Sequence, residues 1–171
     1  MITKVAEGAA IALTFAHQVD CAHSTCDGES SMPAIYEHLH TVTDAEIDEL
    51  GHVGNIVYLQ WTQTAALAHS AAQGWPAEAY RKLGAGFVVR SHQIEYLRPA
   101  LPGDEIVVHT WVADFRRVSS LRRFEIVRPR DGELLVTAQT RWAFVQLANG
   151  RPTRIPPEVQ TAFEIVEGEA R

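Results

Sequence analysis

The chain has 171 residues, of which 46% are hydrophobic and 21% charged, with 11 Gly, 8 Pro and 2 Cys. That length suits one domain, and the composition excludes collagen-like, disulfide-scaffold and low-complexity classes. A net charge of −6 argues against a nucleic-acid binder, and no apolar run approaches the ~18 residues of a membrane-spanning helix, so a soluble cytoplasmic protein is expected.

Residues 1–32 read as an N-terminal extension of weak periodicity, ending in the polar stretch Asp27-Gly28-Glu29-Ser30-Ser31, and 33–171 as the compact domain. Loose alternation from Ile35 to Val42 predicts a strand, followed by a loop from Asp44 to Asn55. From Ile56 to Gln73, Tyr58, Trp61, Ala65 and Ala68-His69 recur every three to four residues, which predicts a helix. Its alanine richness favours that state, Gly74 ends it, and Pro76 opens a short second helix through Lys82. The period then becomes two. Phe87–Leu97, Glu105–Phe115, Ser119–Arg128 and Leu134–Leu147 are long segments rich in Val, Ile, Thr and aromatics, the marks of strands. The separators, among them Pro99 to Asp104, are short, and short connections join antiparallel neighbours. A single long helix wrapped by a curved antiparallel sheet is the expected architecture, of α+β class.

The densest group of chemically capable residues precedes the long helix: Asp48-Glu49-Leu50-Gly51-His52-Val53-Gly54-Asn55. A carboxylate and a histidine stand where the loop enters a helix N-terminus, whose unpaired N–H groups favour developing negative charge. That is the arrangement an oxyanion site needs, with a carboxylate beside it as base or nucleophile. A structural reading fits the same residues, with Asp48 favouring the helix dipole, His52 satisfied in the fold and Asn55 as the N-cap.

The pattern Asp48-x-x-Gly51-His52-Val53-x-Asn55-x-x-Tyr58-x-x-Trp61 resembles the signature of hotdog-fold acyl thioesterases. That family includes 4-hydroxybenzoyl-CoA thioesterase, similar acyl-CoA thioesterases and the plant acyl-carrier-protein thioesterases. A second stretch, Ile94-x-Tyr96-Leu97-Arg98-Pro99-Ala100-x-x-Gly103-Asp104, is similar to the family's strand-turn-strand, and the likeness covers about residues 33–163.

The resemblance implies that Asp48 attacks the thioester carbonyl or activates water, and that the Asn55 N–H polarises that carbonyl. His52 would position substrate or support the loop, and Gly51, Gly54 and Tyr58 are candidate substrate contacts, with core packing the other reading of Tyr58 and Trp61 as aromatics at helical spacing. It also implies a homodimer or homotetramer with sheets paired edge to edge, and an acyl-CoA or acyl-carrier-protein substrate. No metal or cofactor is required, because a thioester is a good electrophile with a thiolate leaving group. Surface arginines, namely Arg90, Arg116, Arg117, Arg122 and Arg123, are candidates for the phosphates of CoA, with a solvated strand face as the alternative.

The chain departs from its relatives in two places. Leu50 stands where plant-type members carry Asn, and Gly54 where many carry Asn. The helix offers only Gln63 and Thr64 as polar residues where other hotdog enzymes place a catalytic carboxylate, and neither can act as a base, so the reading rests on Asp48. A hotdog dehydratase and a non-catalytic acyl-CoA-binding protein are the alternatives. His17, Cys21, His23 and Cys26 have zinc-ligand types without a standard spacing, and a metal site there is not expected. His92 and Glu95, an odd number of positions apart on a strand, face opposite sides and do not form a pair.

Overall fold

The computed structural model describes residues 34–168. The N-terminal stretch expected as an extension, with its Cys and His residues, lies outside them.

The chain runs β1 (Tyr36–Thr41), a 3-10 turn (Asp44–Glu46), α1 (Asn55–Ala72), α2 (Ala77–Leu83), β2 (Ala85–Tyr96), β3 (Glu105–Phe115), β4 (Ser119–Arg128), β5 (Glu133–Gln146) and α3 (Pro157–Thr161). The five strands form one sheet in the order β1-β3-β4-β5-β2, antiparallel at every pairing. α1 lies across its inner face. Tyr58, Trp61, Thr62, Ala65, Ala66 and His69 form the helix's buried stripe, packed against Ile106, Val108, Phe124 and Ile126 from β3 and β4. Alanine matters here twice, favouring helix and letting the helix axis come close to the sheet, since Ala65 is fully buried.

One expected connection is corrected. Pro99 to Asp104 does not join neighbours: β2 pairs with β5, and β3 with β1 and β4. The eight residues 97–104 instead cross the end of the sheet. Three strand spacings come to ~14 Å, well within the ~26 Å that eight extended residues can reach, so a short link spans strands that are not adjacent. It is tied down along its course. The Leu97 and Arg98 N–H groups donate to Leu135 O, and the Ala100 N–H donates to the Tyr58 hydroxyl at 2.8 Å. Asp104, buried at the far side, accepts from the Leu101 N–H and from Arg128 Nη1 at 3.0 and 3.1 Å, with Arg130 Nη1 also at 3.0 Å.

That crossing gives the sheet two unlike ends. One gathers the 97–104 link, the loop before α1 and the α1 N-terminus, which the Tyr96 hydroxyl ties to β2 by donating to Asn55 O at 3.1 Å. The other holds α2, the Arg116-Arg117 turn between β3 and β4, and α3. A second apolar cluster closes that end, built from Ala85, Val112, Phe144, Ile155, Val159 and Phe163. Its C-terminal part, including α3, had no sequence expectation, although Pro156-Pro157 places proline at a helix start as helices prefer.

Candidate active site

The loop between the 3-10 turn and α1 is held in shape by its own backbone. The Asp48 N–H donates to His52 O and the Gly51 N–H to Asp48 O, at 2.8 and 3.0 Å. Gly51 has φ +78°, a left-handed conformation that glycine adopts without a Cβ clash. Ile47 and Val53 face each other as a bridge, and the Val53 N–H donates to Ala100 O, which fastens the loop to the 97–104 link.

Asp48 is exposed. Its Oδ1 accepts from the Leu50 N–H at 2.8 Å, and Oδ2 has no partner among the described residues. The side chain stands over the start of α1: a Cβ placed on Gly54 would sit 3.9 Å from Asp48 Cβ. Gly54 is the N-cap and Asn55 the first helical residue, so Asn55 is not the cap. No side chain caps this terminus; the Gly54 and Val57 N–H groups donate to Glu46 O and Gly54 O, and the Asn55 and Ile56 N–H groups have no acceptor among the described residues. Gly54 has φ −64°, and a Cβ there would meet only ordinary van der Waals contacts. Glycine is therefore not required there by space or backbone, and it supplies no oxygen to those donors. His52 is exposed and its ring has no hydrogen bond among the described residues.

Glu46 was not singled out from the sequence, yet it organises this end. Its carboxylate accepts from the Thr43 N–H and hydroxyl at 2.8 and 3.0 Å, from Trp61 Nε1 at 2.8 Å and from His40 Nε2 at 2.9 Å. Burial opposes its charge, but these donors outweigh burial and hold the carboxyl at about 2, below its ordinary 4.5. The signal was present in Thr43-x-x-Glu46, a capping-box spacing. Glu46 thereby pins β1, the 3-10 turn and α1 together two residues before Asp48.

Other candidates are dispersed. Tyr58 is corrected from a substrate contact to a core residue: it is 2% exposed, its hydroxyl takes the Ala100 N–H, and its ring packs edge-on against Trp61 and Tyr96. Gln63 is half-buried with Nε2 lacking a partner, and Thr64 bonds Gln60 O in its own helix. His92 bonds Thr140, while Glu95 lines a shallow hollow elsewhere with Arg123 and Trp111. Arg90 is exposed at a bulge in the β2 edge. Arg116 and Arg117 are exposed at the opposite end of the sheet from Asp48, separated by the eleven residues of β3, or ~35 Å. Arg122 is corrected from a surface residue to an interior one. Ser120, Arg122, Phe124 and Ile126 alternate onto the buried face of β4, a period the sequence already contained. Its Nη1 donates to His69 Nδ1 at 2.8 Å. Burial, aided by the Arg122 charge, lowers the His69 ring to about 3 and keeps it neutral.

Among the described residues no cluster of three or more His, Cys, Asp or Glu side chains is placed to hold a metal ion, and no helix is long and apolar enough to cross a membrane.

Residues 42–163 match the family model of the thioesterase-like superfamily. The chain belongs to that superfamily and is by class a thioester hydrolase. It is 28% identical to "Putative acyl-CoA thioesterase YneP" of Bacillus subtilis (strain 168) over 123 residues, 70% of this chain and 88% of the relative. Solved structures share its hotdog fold. Slr0204, a 1,4-dihydroxy-2-naphthoyl-CoA thioesterase from Synechocystis, superposes with a TM-score of 0.70 at 21% identity, over 75% of this chain and 94% of that one. SAV2348 from Staphylococcus aureus, solved in complex with CoA, gives 0.71 at 17% identity over 79% and 85%.

Proposed function

We propose that the protein hydrolyses an acyl-CoA or acyl-carrier-protein thioester to the free acid and thiol, with Asp48 as the catalytic carboxylate. The observation that carries this reading is the pairing of an unpartnered Asp48 oxygen with the uncapped N-terminus of α1. A thioester carbonyl set against the Asn55 N–H is polarised by that donor and by the helix dipole. Asp48 then acts in one of two ways. As a general base it takes a proton from water while the water oxygen bonds the carbonyl carbon. As a nucleophile its oxygen bonds that carbon, and water later cleaves the resulting anhydride. In both routes the tetrahedral oxyanion rests on the α1 N–H groups and collapses by expelling the thiolate, which takes up a proton. His52, exposed beside the loop, is the nearest free polar ring in sequence to guide the substrate, with Gly51 and Gly54 leaving the approach open.

The sheet edge supports oligomerisation. β2 is a twelve-residue strand paired on one side only, with Val88 and Val89 exposed, and its unpaired backbone groups are a template for pairing with another copy. Arg116 and Arg117 lie ~35 Å from the Asp48 of their own chain, so a role for them at CoA phosphates calls on the Asp48 of another chain.

Thiol release from short, long and aromatic acyl-CoAs and from acyl-carrier-protein esters tests the proposal, using wild type, Asp48→Ala and Asp48→Asn. A fall in kcat of about 10³-fold or more with the fold intact is expected. Turnover that survives both substitutions would show that another group carries the reaction. In single-turnover hydrolysis in 18O-water, label in Asp48 establishes the nucleophilic route with water attacking Cγ of Asp48 in the anhydride, since the general-base route never exchanges the Asp48 oxygens.

A further inference from the structure

We propose that a second cavity, between the C-terminal half of α1, α2 and the inner face of the sheet, binds a small apolar carboxylate whose charged end pairs with Arg122. The cavity has a volume of about 480 Å³, in the range that small-molecule sites occupy. Its walls are mostly apolar, among them Leu67, Ala71, Trp75, Tyr80, Phe87 and Phe115. His69, which anchors Arg122, lies fourteen residues after Asn55 on α1, ~21 Å along the helix axis. The cavity is therefore separate from the Asp48 site of the same chain, and the inference does not depend on the Asp48 mechanism.

The polar groups in this cavity are unevenly satisfied. The Ser70 hydroxyl is engaged with Trp75 O at 2.8 Å and the Tyr80 hydroxyl at 3.1 Å, and Ser120 donates to Asp114 O at 3.0 Å. Arg122 differs from both. It is only 7% exposed, yet no carboxylate pairs with it among the described residues. Nη1 is spent on His69 Nδ1 and on Thr110 Oγ1 at 3.2 Å, while Nη2 and Nε have no acceptor there.

Both bonded partners are neutral. His69 accepts through Nδ1, so its proton lies on Nε2 and donates to the Gln73 side-chain amide when that amide turns its oxygen to the ring; the ring is clamped between Tyr36, stacked at 5.4 Å, and the edge of Phe163. The Phe163 ring, 5.8 Å from the guanidinium carbon, offers a cation–π contact but no charge. Charged side chains are almost never buried unless paired, because the lost hydration must be replaced. Burial accordingly lowers Arg122 to about 10.

The missing partner is thus an anion, and the guanidinium fork selects its shape. Two free donors in one plane match the two oxygens of a carboxylate. Walls of aromatic and aliphatic side chains suit an apolar body, with Arg81 of α2 the other cation that lines the cavity. The carboxylate belongs to a free organic acid, because ~21 Å of helix separates this cavity from the Asp48 site of the same chain.

Ligand-detected NMR titration of the full chain with phenylacetate and octanoate, against phenylacetamide and octanamide, tests the proposal. The acids are expected to bind at least about tenfold more tightly than the amides. Arg122→Gln should abolish that preference, Arg122→Lys should keep part of it, and Ala71→Trp should fill the cavity and weaken acid and amide alike. Equal binding of acid and amide, no binding by wild type, or a preference that persists in Arg122→Gln would overturn it. If Arg122→Gln fails to fold, Arg122→Lys and Ala71→Trp decide the question.

Discussion

Replacing Glu46 by Gln probes how the catalytic end of the molecule is held. The folded protein keeps this carboxyl at about 2 against an ordinary 4.5. At ~1.36 kcal/mol per tenfold change in proton affinity, that difference corresponds to roughly 3 kcal/mol. The side chain is 18% exposed, and water at that rim screens the charge, so about 2 kcal/mol is the expected contribution. The folded value lies below the unfolded one, so the stabilisation is complete above pH 4.5 and is lost as pH falls towards 2. By pH 3 about two fifths of it should remain. Thermal and urea unfolding of wild type and Glu46→Gln at pH 7 and pH 3 measure this directly. At pH 7 the variant should melt about 4–8 °C lower, and the gap should shrink by more than half at pH 3. A gap of the same size at both pH values would refute the electrostatic account, leaving only lost packing. Because Glu46 bonds Trp61 of α1 and precedes Asp48 by two residues, kcat/KM at pH 7 should fall as well.

Gly54→Ser places a hydroxyl where it can cap α1. Unfolding should then become harder by a few tenths of a kcal/mol, while kcat falls by less than about tenfold, because an N-cap hydroxyl takes the Ile56 or Val57 N–H and leaves the Asn55 N–H to the oxyanion. A loss of about 10²-fold or more would show that the oxyanion does not rest on the Asn55 N–H. Asp104→Ala removes one of the two carboxylates on Arg128, which keeps Asp131, and frees the crossing link, and should cost about 1–3 kcal/mol in urea unfolding. A loss below ~1 kcal/mol would show that the link holds without it. Arg116→Ala with Arg117→Ala should raise KM for acyl-CoA and leave kcat unchanged. An unaltered KM would exclude these two residues from CoA binding.

Much of the architecture was readable along the chain. The switch from three-to-four spacing in 56–73 to alternation after Gly84 marked helix and strands, because side-chain periodicity follows directly from backbone geometry. Boundaries at Glu105, Phe115, Ser119 and Arg128 coincide with the observed ones. The grouping of Asp48 with the α1 N-terminus was equally local, since loop and helix adjoin in sequence. Strand order was not readable. Short connections mean hairpins in a flat sheet, whereas the 97–104 link crosses the end of this one to strands that are not its neighbours.

What the sequence determined by itself, then, is the periodic pattern, the element type, and the short motifs whose partners lie a few residues away, Thr43-x-x-Glu46 included. Tertiary structure decided which of those residues meet at distance. It turned Tyr58 inward to hold Ala100, brought Trp61 and His40 to Glu46, and carried Arg116 and Arg117 to the end remote from Asp48. It also enclosed Arg122 against His69 with no counter-charge. The physical reason is that burial and charge pairing depend on neighbours fifteen to fifty-three positions away, which sheet order and helix docking select and local periodicity does not encode.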